Sequence, residues 1–222
     1  MARRVLEASG GTQHVRGLEL ASACGDRVFL RHPLAADCDE WAELREASWD
    51  FLRRWEPTPP GTRAPNANHA EAFERLLESS DRGVSQRFLI CARLSGETAA
   101  GGEILGQVSL NHIVRGPFCN AAAGYWIGAR HARRGFMSEA LGLAIGHAFG
   151  PLLLHRVEAN IIPGNVASRG VAMKVGMRLE GVSPRFLRIN GKWQDHERWA
   201  ITAEDVRVVG ARGVKAERAK PK

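Results

Sequence analysis

The stretch AAAGYWIGARHARRGFMSEALGLAIGHAF, residues Ala121–Phe149, decides the architecture of this chain. Its first part, Ala123–Ile127, is a run of small and aromatic residues with strand character. A basic, turn-like segment follows over Gly128–Arg134, and Gly135 then opens a run whose apolar residues recur every three or four positions. The stretch therefore predicts a strand, a basic loop and an amphipathic helix, in that order.

The loop and the helix start of this unit suit an anion. The first amides of a helix lack partners within the helix and lie at the positive end of its dipole, and a glycine there lets the backbone approach a ligand closely. Four basic side chains precede Gly135, namely Arg130, His131, Arg133 and Arg134. These features favour a phosphate or pyrophosphate, although an ordinary βα turn with solvated arginines shows the same residues.

The composition is that of a globular protein with excess positive charge. The 222 residues are 44% hydrophobic and 25% charged, and the net charge of +7 favours acidic partners such as phosphorylated cofactors or nucleic acid. The four cysteines form no CxxC pair, so we expect reduced thiols in the cytoplasm rather than a zinc site or disulfides. We find no signal peptide and no apolar stretch of membrane-spanning length.

The chain order predicts one domain between two loose ends. We expect a loosely ordered leader over 1–25 with a short edge strand at Val15–Leu20, a folded domain over 26–206, and a disordered basic tail over 207–222. The predicted helices are Asp37–Leu52, His69–Ser80, Gly135–Phe149 and Asn165–Val175. The predicted strands are Val28–Arg31, Phe88–Leu94, Glu103–Val114, Ala123–Ile127, Arg156–Ile162, Met177–Val182, Phe186–Ile189 and His196–Thr202.

Cap and turn residues mark several of these boundaries. Asp37 with Glu40 three positions later reads as a capping box. Asn165 is the expected N-cap of the last long helix, and Gly176 its C-cap glycine. The pair Asn190-Gly191 is typical of a hairpin turn. This order of elements predicts an α/β (α+β) fold, a mixed sheet with helices on both faces.

Several segments in this order resemble the GNAT acetyltransferases, and within them the RimJ/RimL type, which acetylates the N-terminal alanine or serine of ribosomal proteins. The segments are GYWIG (124–128), RRGFMSEAL (133–141), HRVEANIIPGNVASRGVAMKVGM (155–177) and INGKWQDHERWAIT (189–202), with WEP (55–57) and GQVSL (106–110). The resemblance runs from about Arg27 to Val206. It implies a twisted mixed sheet whose central parallel strands, Ala123–Ile127 and Arg156–Ile161, splay apart.

The resemblance further implies acetyl-CoA as cosubstrate and no metal. The pantetheine arm would add to the strand edge at Trp126 and Ile127, whose backbone would also hold the thioester carbonyl. Asn165 and Ser168 would reach the cosubstrate from the following helix. The pyrophosphate would bind the amides of the loop, namely Arg133, Arg134, Gly135, Phe136 and Met137.

The loop departs from the family pattern at two positions. The family usually has Gln or Arg where this chain has Ala132, and Gly or Ala where it has Met137. Backbone amides form most of such a cradle, so we expect binding to survive, with Arg133 or Arg134 supplying charge. The departure makes the affinity for acetyl-CoA less certain than the fold.

The implied reaction is direct attack of a neutral amine on the thioester, driven by positioning and an oxyanion contact. A peptide α-amine has a pKa of about 7.7–8.0 and lysine about 10.4, so an α-amine needs weaker base assistance. Glu56 or Glu103, directly or through a water, is the candidate base. Ser168 is the candidate donor to the leaving thiolate, because the chain's single tyrosine, Tyr125, lies before the loop and not after Asn165.

The acceptor is left open by these residues. Trp55, Glu56 and Asn111 are the candidate acceptor-binding residues, and a protein N-terminus, with possible ribosome association, is the favoured partner of a monomer or homodimer. Alternatives are acetylation of a small amine, such as an antibiotic or polyamine, and a non-catalytic acetyl-CoA-binding module. The basic segments Arg53–Trp55 and Arg185–Arg188 favour a peptide over a polycation. Three histidines are further candidate bases: His112, His131 and His196.

Overall fold

An eight-stranded mixed sheet lies at the centre of the fold in the computed structural model, which describes residues 21–58, 68–78, 83–93 and 102–206. The strands are β1 (Ala21–Cys24), β2 (Val28–Arg31), β3 (Gln86–Ala92), β4 (Ile104–Val114), β5 (Asn120–Ile127), β6 (Arg156–Ile161), β7 (Arg178–Ile189) and β8 (Lys192–Thr202). Their order across the sheet is β1-β2-β3-β4-β5-β6-β8-β7. Among these strands β5 and β6 are the one parallel pair.

Helices cover both faces of this sheet. They are α1 (Cys38–Ala47), α2 (Trp49–Leu52), α3 (His69–Glu78), α4 (Phe136–Phe149) and α5 (Val166–Lys174). Side chains alternate between the two faces along a strand, so Val28 and Leu30 pack in the core beneath α4 and α5 while Phe29 packs in the core beneath α1 and α3. The predicted fold class, a mixed sheet with helices on both faces, is confirmed.

The parallel strands separate part-way along their length. Their pairing runs from Asn120 with Arg156 to Ala123 with Ala159. Beyond that point β5 stays paired with β4 as far as Ile127, and β6 stays paired with β8 as far as Ile161. The two strands therefore diverge after Ala123 and open a space that we call the β5–β6 cleft, which confirms the predicted splay. Backbone groups on the cleft edge of β5 are left without a strand partner.

Most of the local signals in the sequence have the predicted structure. Asn165 is the N-cap of α5, and its side-chain oxygen accepts from the amide of Ser168 at 3.1 Å. Gly176 follows α5 with φ +88°, as a C-cap glycine does. Asn190 and Gly191 have φ +44° and +80°, which is the backbone of a type I′ hairpin turn.

The predicted capping box at the first helix is wrong. Asp37 makes no side-chain cap bond to α1; its carboxylate accepts two hydrogen bonds from Arg31, at 2.6 and 2.7 Å, and one from the amide of Leu34. Glu40 accepts from the amide of Ile104 at 2.6 Å. Because Arg31 is buried, its charge requires a carboxylate more strongly than a helix amide does.

Three boundaries also differ from the prediction. Residues 21–24, assigned to the leader, form β1 and pair with β2. The first helix is interrupted at Ser48 into α1 and α2, and the two strands expected between Met177 and Ile189 form one strand with a bulge near Arg185, whose φ is +51°. The predicted strand at Val15–Leu20, the rest of the leader and the tail lie outside the described residues.

Candidate active site

The backbone before α4 forms a concave row of amides. Arg133 has φ +63° and Gly135 has φ +83°, so the chain curls twice within three residues, and α4 begins at Phe136. Such a curl, placed at the positive end of a helix dipole, makes an anion-binding cradle. The positive φ favours glycine at this position, and a Cβ atom there would also come within 3.2 Å of Nη2 of Arg27, at the end of that side chain.

Two cations from other segments converge on this cradle. The same Cβ position at Gly135 lies 3.8 Å from Nζ of Lys174, at the end of α5. Lys174 forms no ion pair with any carboxylate in the described ranges. Arg27 donates from Nη1 to the carbonyl of Arg134 at 2.9 Å, and Glu139 holds Arg27 by its amide and its Nε, at 2.7 and 3.0 Å. Positive charge therefore surrounds the cradle, and an anion bound there can neutralise it.

The sequence did not assign Arg27, Glu139 or Lys174 to the site. Lys174 lies in the family-like run Lys174-x-Gly176, which was a usable signal, but nothing in the sequence connects Arg27 to a loop so far along the chain. We call the loop 133–137 together with Arg27 and Lys174 the cosubstrate side of the cleft.

The side chains of the predicted loop residues have different surroundings. Those of Arg133 and Arg134 are exposed. Phe136 has the guanidinium groups of Arg27 and Arg134 over its ring, at 5.1 and 4.9 Å from the centroid. Met137 is buried in the core beneath α4, so only its amide is available to a ligand. The methionine therefore does not fill the cradle, although the family usually has a small residue there.

Both predicted backbone contacts, Trp126 and Ile127, lie beyond the last β5–β6 pair, but only Ile127 presents its backbone groups to the cleft, because those of Trp126 point towards β4. Gly124, the first residue past that pair, is bordered by the polar side chains of β4. A Cβ on Gly124 would lie 3.1 Å from both Oγ of Ser109 and Nδ2 of Asn111. The predicted acceptor residue Asn111 therefore lies at the point where the strands begin to separate.

The start of α5 is joined to β5 by a hydrogen bond. Tyr125 donates its phenolic hydrogen to the carbonyl of Ser168 at 3.3 Å, and burial raises the pKa of Tyr125 to about 12. The single tyrosine thus reaches the α5 segment although it precedes the loop in sequence, a contact that spacing along the chain could not reveal. The hydroxyl of Ser168, which is half-buried, makes no hydrogen bond to any residue that the structure describes.

An arginine between two indoles dominates the opposite face of the sheet. The guanidinium carbon of Arg45, on α1, lies 5.2 Å from the ring centroid of Trp41 and 4.9 Å from that of Trp126. Its Nη2 donates to Oε1 of Glu56 at 2.6 Å. These four residues, Trp41, Arg45, Glu56 and Trp126, are what we call the acceptor side; Trp41 and Arg45 were not predicted from the sequence.

Glu56 is anchored across the cleft. Its carbonyl accepts from the amide of Asn190 at 3.0 Å, and the amide of Thr58 donates to Arg188 at 2.8 Å. Arg188 lies near the end of β7 and Asn190 in the turn between β7 and β8, beyond β6, whereas Trp126 belongs to β5. The segment at Glu56 therefore links the β5 side of the cleft to the β7–β8 hairpin on the other side. Trp55 precedes it, half-buried, with Arg54 over its ring at 6.0 Å.

Glu103, the second candidate base, lies elsewhere. It precedes β4 and accepts from Nη2 of Arg130 at 2.6 Å, with Nε2 of His131 at 3.4 Å. None of its contacts in the described ranges is to Glu56, Trp126 or Ser168. Burial lowers the pKa of His131. Burial also lowers the pKa of His196, whose Nδ1 lies 3.0 Å from the carbonyl of Gln194. Of the two glutamates, the geometry brings Glu56 to the cleft.

Two searches of the described residues gave negative results. No group of three or more His, Cys, Asp and Glu side chains among them could hold a metal ion. No helix in the same ranges is long and apolar enough to cross a membrane.

The splayed strands and the glycine cradle define the class of protein. The chain belongs to the GNAT family, because the family model described as acetyltransferase (GNAT) domain matches residues 27–178. It is therefore an acetyltransferase that uses acetyl-CoA. The residues present fit that cosubstrate, since they offer a free strand edge, an amide cradle and unpaired positive charge.

Similar proteins sharpen this assignment. The "probable N-acetyltransferase" YjcK of Bacillus subtilis is 40% identical and covers 82% of this chain and 97% of its own. The [ribosomal protein uS5]-alanine N-acetyltransferase of Escherichia coli is 29% identical, covering 81% of this chain and 90% of its own. Mycobacterium smegmatis RimJ in complex with CoA-disulfide has a TM-score of 0.70 at 32% identity, covering 80% of this chain and 82% of that one. The predicted resemblance to the RimJ/RimL type is confirmed.

Proposed function

We propose that this chain transfers the acetyl group of acetyl-CoA to the N-terminal α-amine of a protein, with a ribosomal protein as the favoured substrate class. The observation that carries the proposal is the charge balance of the acceptor side. Its one carboxylate, Glu56, is already paired with Arg45, which itself lies between two indoles. Such a site suits a single amine at the end of a chain, whereas a polyamine calls for several carboxylates.

On the cosubstrate side, acetyl-CoA supplies an acetyl group activated as a thioester. The edge of β5 at Ile127, next to Trp126, takes the pantetheine arm by backbone pairing. The amides of 133–137 hold the pyrophosphate, with Arg27 and Lys174 adding charge. Asn165 fixes the start of α5 and with it Ser168. These contacts position the acetyl group and need no side-chain nucleophile.

On the acceptor side, Glu56 receives the amine. Its Oε1 is engaged by Arg45, and its Oε2 makes no hydrogen bond to the described residues, so this oxygen is free for the amine or for a water that relays its proton. An α-amine with an ordinary pKa of about 7.7–8.0 is partly neutral at physiological pH, and a carboxylate or water then suffices as base. Trp55 and Asn111 border the same opening.

In this proposal Ser168 donates a hydrogen bond to the departing thiolate, and the proton lost by the amine passes to Glu56 or to water. The hydroxyl of Ser168 makes no hydrogen bond within the described residues, and Tyr125 fixes the same turn of helix through the Ser168 carbonyl. Because the pKa of Tyr125 is raised to about 12, the phenol stays protonated and keeps donating to that carbonyl. Tyr125 thus positions Ser168 and does not itself exchange protons.

The relatives support the peptide acceptor. The Escherichia coli protein acts on an alanine of ribosomal protein uS5, and it aligns with most of this chain. The reaction we propose would take place in the cytoplasm, where newly made ribosomal proteins are found.

The test is release of CoA thiol from acetyl-CoA with a panel of acceptors. The panel holds peptides starting with alanine or serine, lysine peptides with blocked N-termini, aminoglycosides and polyamines. Turnover with the free N-terminal peptides alone supports the proposal, and Glu56→Gln should then reduce it while Glu103→Gln leaves it unchanged. Turnover only with small amines would contradict it, and so would acetyl-CoA binding without any turnover, which would favour the non-catalytic module.

A further inference from the structure

Arg45 is an unusual residue for the inside of this fold. It lies on α1 with 8% of its surface exposed, and no charge can be removed from water to this degree without compensation. The compensation comes from two indole faces, Trp41 and Trp126, and from one carboxylate oxygen of Glu56. Its Nε is buried and has no hydrogen-bond partner among the residues that the structure describes. The guanidinium is thus fixed in place by stacking, with a single strong hydrogen bond.

That hydrogen bond determines where Glu56 points. The glutamate side chain is 22% exposed and lies in a segment held at the other wall by the amide of Asn190. A glutamate before a proline at such an opening has several accessible rotamers, and the 2.6 Å contact with Arg45 selects one of them. With Oε1 taken, Oε2 is the oxygen left for a ligand.

We propose that Arg45 is the positioning residue of the acceptor site: clamped between Trp41 and Trp126, it holds Glu56 so that the free carboxylate oxygen meets the acceptor amine. This inference rests on the proposed function, because it assigns Arg45 to the amine site of that reaction. Trp126 links the two sites by position. Its indole stacks on Arg45, and the next residue of β5, Ile127, presents its backbone to the cleft.

A matched control is present in the same molecule. Arg31, on β2, is 9% exposed and binds Asp37 with two hydrogen bonds, at 2.6 and 2.7 Å. It is as buried as Arg45 and more fully hydrogen-bonded, but its partner Asp37 is bonded to Arg31 and the amide of Leu34 and to no residue of the acceptor side. A purely structural role for Arg45 would make the two arginines respond alike to the same substitution.

The experiment compares Arg45→Lys, Glu56→Gln, the double variant and Arg31→Lys in the full chain. Steady-state kinetics with an alanine-starting peptide give kcat and KM, titration calorimetry gives the Kd of CoA, and thermal unfolding gives Tm. We expect Arg45→Lys to lower kcat/KM for the peptide by about 10- to 100-fold while the Kd of CoA stays within about twofold. Arg31→Lys should lower Tm and leave kcat/KM within about threefold.

The double variant separates positioning from an independent role. If Arg45 acts through Glu56, the double variant is no slower than the slower single variant. Losses of kcat/KM that multiply in the double variant would overturn the inference. An Arg45→Lys variant with a lower Tm but an unchanged kcat/KM, as expected for Arg31→Lys, would also overturn it. Should Arg45→Lys not fold, Glu56→Asp shortens the carboxylate side chain and so breaks the same contact from the other partner; full activity in that variant would equally overturn the inference.

Failure of the proposed function has a different signature. In that case the wild-type chain binds CoA but acetylates no α-amine peptide, which rejects both the function and the role of Arg45 in it. If the wild type acetylates the peptide and the two arginine variants behave alike, the function stands and the positioning role alone is rejected.

Discussion

The two sides of the cleft use charge in opposite ways. On the cosubstrate side the ligand would meet backbone amides with two cations around them: Lys174, which has no carboxylate partner in the described ranges, and Arg27, which is paired with Glu139. On the acceptor side the ligand would meet side chains, and the charges of Arg45 and Glu56 are already paired. The first arrangement attracts a polyanion, while the second receives a near-neutral amine.

The two sides therefore also differ in how strongly they depend on the identity of their side chains. A backbone cradle depends on conformation, so one glycine decides it and most side chains in the loop can vary. The stacked arginine and its three partners come from three segments, namely α1, the segment at Glu56 and β5, and each side chain must keep its shape. Substitutions should therefore affect CoA binding on one side and acceptor kinetics on the other.

The largest effect is expected at the glycine of the cradle. Gly135→Val places a β-branched residue at φ +83° and a Cβ 3.2 Å from Nη2 of Arg27, so the loop must change shape. We expect the Kd of CoA, measured by calorimetry, to rise at least about 100-fold, or about 2.7 kcal/mol. Gly142→Ala on α4 is the control, because nothing lies within 4 Å of its added Cβ; it should leave the Kd unchanged. If the Gly135→Val protein binds CoA with wild-type affinity, the loop 133–137 does not form the pyrophosphate site.

The next effect concerns the charge that surrounds the cradle. Lys174→Met removes a cation that faces the cradle, and we expect about a tenfold loss of CoA affinity, since a hydrogen bond to a charged group contributes about 1.5–3 kcal/mol. The salt dependence of binding should become shallower. Arg75→Met on α3 is the control, because Arg75 is paired with Glu71 on the opposite face of the sheet. Equal salt dependence in both variants would show that Lys174 contributes nothing to binding.

A third prediction concerns Tyr125, which joins the two sides. Its pKa of about 12 lies above the ordinary value of 10.0, so the folded state retains a proton that the unfolded state loses first. The resulting stabilisation, about 2–3 kcal/mol, is present below pH 10 and is lost as the pH rises towards 12. Because the chain has one tyrosine, tyrosinate absorbance follows this group directly.

We therefore expect a tyrosinate midpoint near 12 in the folded protein and near 10 in denaturant. Between about pH 10 and 12, the free energy of unfolding, measured with denaturant, should fall less in Tyr125→Phe than in the wild type. A folded-state midpoint near 10 would show that Tyr125 is solvated and does not hold the α5 segment.

The smallest effect is expected at Asn111. Its Nδ2 donates to Oγ of Ser109 at 2.9 Å beside Gly124, so it borders the cleft without a charge. Asn111→Ala should raise the KM for the peptide by about threefold and leave the Kd of CoA unchanged, as expected for one neutral hydrogen bond. A change in the Kd of CoA with an unchanged KM for the peptide would show that Asn111 contacts the cosubstrate and not the acceptor.

The parts of the site that are local in sequence could be predicted. Gly135, Asn165 and Gly176 each decide the backbone within a few residues, and all three have the predicted structure. The splay was predictable from the family resemblance, because several motifs in order specify a known sheet.

The contacts that join distant segments could not be predicted. Asp37 and Glu40 fit a capping box locally, but buried Arg31 and the free amide of Ile104 compete for their carboxylates. Tyr125 reaches Ser168, which lies 43 residues further along the chain, because strand register turns its ring towards α5. Spacing in the sequence does not record which side chains meet after the sheet has assembled.

The central claim is that an α-amine, and not a lysine side chain, enters opposite acetyl-CoA at the acceptor side. The most direct test gives the protein acetyl-CoA and one peptide that starts with alanine and contains a single internal lysine. Fragmentation of the product by mass spectrometry then locates the acetyl group. The account predicts acetylation of the alanine α-amine alone; an acetyl group on the lysine, or a mixture of the two, would contradict it.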